Sequence, residues 1–238
     1  VRLTPEGEIL YKHVEQAYYF LKTGERSISN IHNLKQGEIR IGATDTICKY
    51  YLLPYFKQFM ELYPNIKIHV TNRPSPACIE LARKGIVDLS VINLPANEQL
   101  PHLTVKRIKT LHDVFIAGKN FTALANRKVS LKELAEYPLL LLEKNTHTRH
   151  FFEMFTKQNG VNLTPEIELS SVDLLIELTK IGLGISFVVR EFIGQELHNN
   201  EIFVLDLQEQ IPERYLGIVT NDNIPLPIAA QKFIDLLQ

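Results

Sequence analysis

Residues 66–92 read IKIHVTNRPSPACIELARKGIVDLSVI, and this stretch decides the fold. Ile66-Lys67-Ile68-His69-Val70 alternates apolar and polar residues, the period of a strand. Pro76 to Lys84 carries a helical pattern that Gly85 closes, because glycine enters the left-handed conformation that helix C-termini favour. Val87-Asp88-Leu89-Ser90-Val91-Ile92 is a strand again. Strand, helix and strand in so short a span predict a βαβ unit with parallel strands.

The alternation extends both ways. Upstream, Glu38 to Gly42 reads as a strand. Ile47 to Tyr63 reads as a helix with Leu52, Leu53, Phe56, Phe59 and Met60 turned inward. Pro54 lies inside it and predicts a kink or a late helix start, and Pro64 stops it. Downstream, Asp113 to Ala117 is strand-like, and Ser130 caps a short helix that ends before Pro138. Pro138 to Leu142 is apolar on both faces, as a central parallel strand requires. Arg149 to Gln158 is helical and ends at Gly160, and Glu166 to Leu169 is a strand. Ser171 caps a helix over Val172–Lys180 that Gly182 ends. Ile185 to Val189 and Leu216 to Thr220 are strands, and Ile228 to Leu237 is a closing amphipathic helix. No segment repeats, and no linker is rich enough in Pro or Gly to separate independent domains. The fold class is therefore α/β, with two similar halves joined by strands that cross between them.

Ahead of this body lies an arm. Thr4-Pro5-Glu6 is a helix start, with Thr4 as N-cap, Pro5 at the first position, and Glu6 and Glu8 on the positive end of the dipole. Leu10, Val14, Ala17, Leu21, Gly24, Ile28 and Ile31 follow at alternating spacings of four and three, the seam of a coiled coil. Tyr11, Tyr18 and Phe20 widen the stripe. Two readings stay open: a dimerising linker helix, or an N-terminal helix docked on its own body.

The chain has 238 residues, is 45% hydrophobic and 22% charged, and carries a net charge of -1. That is the composition of an ordinary globular protein. Residues 1–36 hold five Lys or Arg against four Glu, too little net charge to grip nucleic acid strongly. No apolar run is long enough to span a bilayer, and no secretory signal is visible. Cys48 and Cys78 form no disulfide framework and no metal-type pair, so the cytoplasm is the expected compartment.

Together these residues resemble the regulatory part of LysR-type transcriptional regulators. Leu3-Thr4-Pro5-Glu6-Gly7-Glu8 is similar to that family's junction between its winged helix and its linker helix. Gly37-Glu38-Ile39-Arg40-Ile41-Gly42 resembles its first regulatory strand. Leu52-Leu53-Pro54 with Phe59 and Tyr63-Pro64-Asn65-Ile66 resembles the helix and strand that follow. Leu81 to Leu89 resembles its L-x-x-G-x-x-D helix-to-strand turn, with one more residue between Leu81 and Gly85, and Gly182-Leu183-Gly184-Ile185 its GLGI turn. Arg190 departs from the family, which often has Pro there.

The resemblance implies two Rossmann-like subdomains joined by hinge strands, in the manner of type II periplasmic binding proteins. A long N-terminal linker helix precedes them. It implies an end of wing and dimerising helix over 1–36, a first subdomain over 37–112 and 213–238, and a second over 113–212. A small organic acid or anion would bind in a cleft between the subdomains. The linker helix, through Leu10, Val14, Ala17, Leu21, Ile28 and Ile31, would pair with another copy in a dimer or tetramer. Promoter DNA would be met by a winged helix ahead of this sequence. No cofactor, metal or catalytic residue is implied.

Ligands of open α/β sheets sit beyond the carboxyl ends of strands, where helix N-termini present bare amides. Thr44, Asp45 and Thr46 follow the first strand, and their hydroxyls and amides suit a carboxylate; the alternative is helix capping by Asp45 or Thr46. The charge of Asp45 would repel an anion unless it points away. Asn93 and Leu94 follow the third strand, where an Asn amide either binds a ligand or shapes a turn. Thr146, His147 and Thr148 open a helix at a loop that contributes effector contacts in the family. Arg149, beside them, either joins that site or pairs with a carboxylate. Ser171 and Val172 open another helix, with Ser171 equally readable as its N-cap.

Cys48 sits one turn into a helix near the first of these loops, a position that lowers a thiol pKa. It is the one plausible nucleophile if the chain is an enzyme, and a small buried thiol otherwise. A transporter's solute-binding protein is the other alternative. It predicts a signal peptide and no heptad arm.

Overall fold

The computed structural model describes residues 2–31, 37–95 and 100–238. The end of the expected arm, 32–36, lies outside the described residues, as do the side chains of Ile28 and Ile31. The chain divides into two compact units. One comprises Val1–Ile92, Gln99–Ile108 and Gly217–Gln238, and the other Asn93–Glu98 and Lys109–Leu216.

The first unit opens with α1 (Pro5–Ile31), β1 (Gly37–Ala43), α2 (Asp45–Ile47), a π-turn (Cys48–Leu52) and α3 (Leu53–Leu62). β2 (Ile66–Asn72), α4 (Ser75–Arg83), β3 (Leu89–Pro95) and β4 (Leu103–Leu111) follow. The second unit holds β5 (Asp113–Gly118), a 3-10 turn (Lys119–Leu124), β6 (Lys128–Val129), α5 (Leu131–Leu134), β7 (Leu139–Leu142) and α6 (His147–Gln158). It continues with β8 (Ile167–Leu169), α7 (Val172–Lys180), β9 (Ile185–Val189), a 3-10 turn (Arg190–Phe192), α8 (Gly194–His198), β10 (Ile202–Val204) and β11 (Asp206–Leu207). β12 (Arg214–Asn221) and α9 (Ile228–Leu236) close the chain.

One sheet has the order β2-β1-β3-β12-β4, and β1 pairs parallel with both β2 and β3 in the register Ile39↔Ile68 and Ile41↔Leu89. The βαβ reading of residues 66–92 is thus two parallel strands of one sheet, with β1 between them. The other large sheet has the order β10-β5-β9-β7-β8. Here the expectation of a purely parallel sheet needs correction. β7 is parallel to β8 and β9, but β5 runs antiparallel to β9 and β10. Parallel pairing needs a crossover connection. β5 is the first strand of this sheet along the chain and follows β4 of the other sheet after His112 alone, so it does not enter by a crossover from a strand of its own sheet.

Pro54 changes the first long helix as its chemistry requires. It has no N–H to donate and its ring clashes with the preceding turn. The turn ahead of it widens, the Leu53 N–H reaching back to the Cys48 carbonyl, and α3 starts only at Leu53. Leu52 and Phe59 are buried, and Phe59 and Phe56 pack on Phe233 of α9 at centroid distances of 5.3 and 5.7 Å. Leu53 and Met60, expected inside, are exposed.

Gly85 and Gly182 end α4 and α7 with φ of +69° and +81°, as the sequence predicts. Gly118 has a steric reason instead. A Cβ there would lie 2.2 Å from the Thr179 carbonyl oxygen, so β5 and the end of α7 meet only because the side chain is missing.

Along α1, Leu10, Val14 and Leu21 are 63%, 55% and 72% exposed. α1 touches β1 and α9, yet these seam residues do not dock on the unit that carries them.

Candidate functional site

The carboxyl end of β1 runs into α2, and Thr44 is its N-cap. The Thr44 Oγ1 accepts the Ile47 N–H at 3.1 Å. Capping therefore falls to Thr44, not to Asp45 or Thr46, because α2 begins at Asp45 and the cap precedes the first helical residue. Asp45 is exposed, and its Oδ1 accepts the Thr46 N–H at 2.9 Å. The carboxylate thus occupies an amide that an incoming anion would use. Thr46 is half-buried and caps nothing.

In the second unit, β7 delivers Thr146 to the start of α6. Its hydroxyl is fully used, accepting the Arg149 N–H at 3.2 Å and donating to the Glu143 carbonyl at 2.9 Å. Ser171 likewise caps α7, accepting the Leu174 N–H at 3.3 Å. Val172 is half-buried at its start, and Leu94 is buried. Arg149 is buried and committed to Glu153, Glu168 and the Leu142 carbonyl. It holds α6 on β7 and β8.

The structure brings Asn93, His147 and Thr148 together. The His147 Nδ1 lies 2.9 Å from the Asn93 carbonyl oxygen, which can only accept, so the Nδ1 carries the proton. Asn93 is buried, and its Oδ1 has no hydrogen-bond partner among the described residues. Thr148 accepts from the Arg214 Nη2 at 3.2 Å.

Arg214 is a residue that sequence reading misses. It is completely buried, and its Nε and Nη2 each donate to Asp113 at 2.6 Å. Its guanidinium carbon stands 4.9 Å from the Phe151 ring centroid. Burial pushes the Asp113 carboxyl upward, while the charge and hydrogen bonds of Arg214 oppose it. The Arg214 Nη1 is buried with no partner among the described residues. The partners are 101 positions apart, so no local pattern announces them.

Next to this pair, the His112 Nδ1 is 2.7 Å from the Glu191 Oε1, and its Nε2 is 3.7 Å from Glu213. The Glu191 hydrogen bond, with the charges of Glu191 and Glu213, raises the His112 pKa; partial burial and Arg190 oppose it. A raised folded-state pKa adds stability below the unfolded value, about 6.5, and that stability disappears as pH rises through the folded value. His112 is half exposed, so solvent screens the effect. The His112→Gln variant should unfold at a lower temperature than the parent at pH 6 and at the same temperature at pH 9. A difference that grows with pH would contradict the assignment.

Burial, with Asp45 adding to it, pushes the Cys48 thiol up to about 11, and burial takes Cys78 to about 11. Neutral thiols dominate at physiological pH, so Cys48 lacks the lowered pKa expected of it at a helix start. Among the described residues no group of three or more His, Cys, Asp or Glu could hold a metal ion. Among the described residues no helix is long and apolar enough to cross a membrane.

A family described as the LysR substrate binding domain matches residues 32–238. The chain is 25% identical over 237 residues to the HTH-type transcriptional activator CmpR of Synechocystis, covering all of this chain and 77% of that protein. It is 27% identical over 217 residues to the HTH-type transcriptional regulator CysL of Bacillus subtilis, covering 91% of this chain and 72% of that one. The solved Synechocystis CcmR regulatory domain in complex with 2-PG superposes with a TM-score of 0.76 at 21% identity, over 85% of this chain and 96% of that domain. The shared fold is that of LysR effector-binding domains, the type II periplasmic-binding-protein arrangement.

Proposed function

Because the chain belongs to the LysR substrate-binding domain family, we propose that it is the effector-sensing part of a cytoplasmic transcription regulator and that its effector is a small organic acid or anion. One observation carries this reading. Asn93 and Arg214 both contact the first turn of α6, where helix amides favour negative charge, and each keeps a buried polar atom, the Asn93 Oδ1 and the Arg214 Nη1, without a partner among the described residues. The 2-PG complex of the Synechocystis domain supports the ligand class.

On this reading Thr44, Asp45 and Thr46 serve the ligand from the first unit, and Asn93, Leu94, Thr146, His147, Thr148, Ser171 and Val172 from the second. Thr44, Thr146 and Ser171 do so while capping helices. Leu94 and Val172 supply apolar walls. Residues 37–112 and 213–238 act as one regulatory subdomain and 113–212 as the other. α1 pairs with a second copy along Leu10, Val14, Ala17, Leu21, Ile28 and Ile31, in a dimer or tetramer whose geometry the effector alters. The exposed side chains of Leu10, Val14 and Leu21 support that pairing. DNA contact belongs to an N-terminal domain such as family members carry. The chain catalyses no reaction, in keeping with relatives named as transcriptional regulators.

Thr46 provides the test, since it can be changed without removing a cap. A panel of small carboxylates and inorganic oxyanions should contain a ligand that raises the melting temperature of the chain. Thr46→Val should suppress that shift and leave the unliganded melting temperature nearly unchanged. A panel without any shift, or a shift that Thr46→Val leaves intact, would refute the reading.

A further inference from the structure

The hydrogen bonds at the start of α6 say more than that an anion is welcome. Arg214 donates to the Thr148 Oγ1, so a hydroxyl lone pair faces a cation. The hydroxyl hydrogen is thereby turned away from Arg214, and it has no acceptor among the described residues. The Thr148 amide, in the first helical turn, also has no intrahelical acceptor. Two residues that contact this turn, Arg214 through the Thr148 hydroxyl and Asn93 through its backbone carbonyl on the His147 ring, keep buried side-chain atoms without partners among the described residues. One is the Arg214 Nη1, a donor, and the other is the Asn93 Oδ1, an acceptor. Arg214 is fully buried and Asn93 is 8% exposed. Native proteins leave few buried polar atoms unpaired, because each forfeits its hydration without return. Donors left over at the helix start, and an acceptor left over on a residue that contacts its first side chain, describe a ligand with both kinds of group.

We propose that the first turn of α6 receives an anion that carries its own hydroxyl hydrogen, a hydroxy acid or a monoprotonated inorganic oxyanion, with Arg214 and Asn93 setting that specificity. The proposal deepens the effector-binding reading and rests on it. The anionic oxygens take the Thr148 amide and hydroxyl. Arg214 is a positioning residue here. It takes the acceptor side of Thr148 and so commits the hydroxyl to donate. The ligand's hydroxyl hydrogen goes to the Asn93 Oδ1. An anion without that hydrogen sets a negative oxygen against a carbonyl oxygen, and a site built to pair a hydroxyl rejects an analogue that lacks it.

Isothermal titration of the 238-residue chain at pH 8 and constant ionic strength tests this with matched probes: inorganic phosphate against sulfate, and lactate against propionate. Phosphate keeps one hydrogen at that pH and sulfate keeps none. In at least one pair the hydroxyl-bearing member should bind about tenfold more tightly or better, and which pair does so tells an inorganic from an organic anion. Asn93→Leu should erase the preference within that pair. Thr148→Val should weaken the preferred probe about tenfold or more, and Arg214→Lys should do the same. If either the arginine or the asparagine variant fails to fold, Thr148→Val still decides, because it removes only a half-buried hydroxyl. Equal or reversed affinities in both pairs would overturn the proposal, as would full binding by Thr148→Val. Binding lost in Thr46→Val but kept in Thr148→Val would overturn this inference alone. Binding of no panel acid at all would overturn the effector reading with it.

Discussion

Arg214→Met should cost about 3–5 kcal/mol of stability, among the largest losses any single substitution in this chain will produce. The reason is the group left behind. Asp113 and Arg214 are both completely buried and joined by two charge-assisted hydrogen bonds of 2.6 Å. Removing the guanidinium strands a carboxylate in a medium that cannot solvate it. Asp113→Leu should also destabilise, by stranding the cation. The double variant Asp113→Leu with Arg214→Met should recover most of the loss, since replacing a whole buried pair by apolar groups is often neutral. Urea unfolding of all four proteins measures this cycle. Additive losses in the double variant would mean that the two residues do not act as a pair.

The second large effect belongs to Phe187. It sits on β9, the central strand of the second unit's sheet, and is 1% exposed. Its ring centroid lies 5.0 Å from Phe115, 5.3 Å from Phe152 and 6.3 Å from Phe151. Phe187→Ala removes the ring that those three share and leaves a cavity that rigid neighbours on β5 and α6 cannot collapse to fill. The expected cost is about 3–5 kcal/mol. Native-state hydrogen exchange should place the lost protection in residues 109–216 first, because this aromatic cluster lies wholly in that unit. A loss under about 1.5 kcal/mol, the scale of a volume-conserving swap, would show that the cluster repacks.

Much of the site's framework was legible, and its chemistry was not. Ser130 and Ser171 are N-caps where the sequence puts them, with α5 and α7 starting one residue later. Such signals are local, because a cap bonds an amide three residues away. Thr44 and Asp45 show how local reading slips. Both can cap, and only the position of the first helical residue chooses between them. Arg214 went unread for a different reason. An arginine at the head of an apolar strand looks like a surface residue, and Asp113, at the head of another, looks the same.

The residue order by itself determined the alternation of strands and helices, the glycine stops at Gly85 and Gly182, the interruption at Pro54 and the heptad spacing of α1, because each depends on neighbours within a turn or two. The tertiary structure alone decided that β5 runs against β9, that Leu53 and Met60 face solvent, and that Asp113, Thr148 and Arg214 meet. Those outcomes depend on which surfaces arrive from far along the chain. A buried charge can persist only where such an arrival supplies its partner.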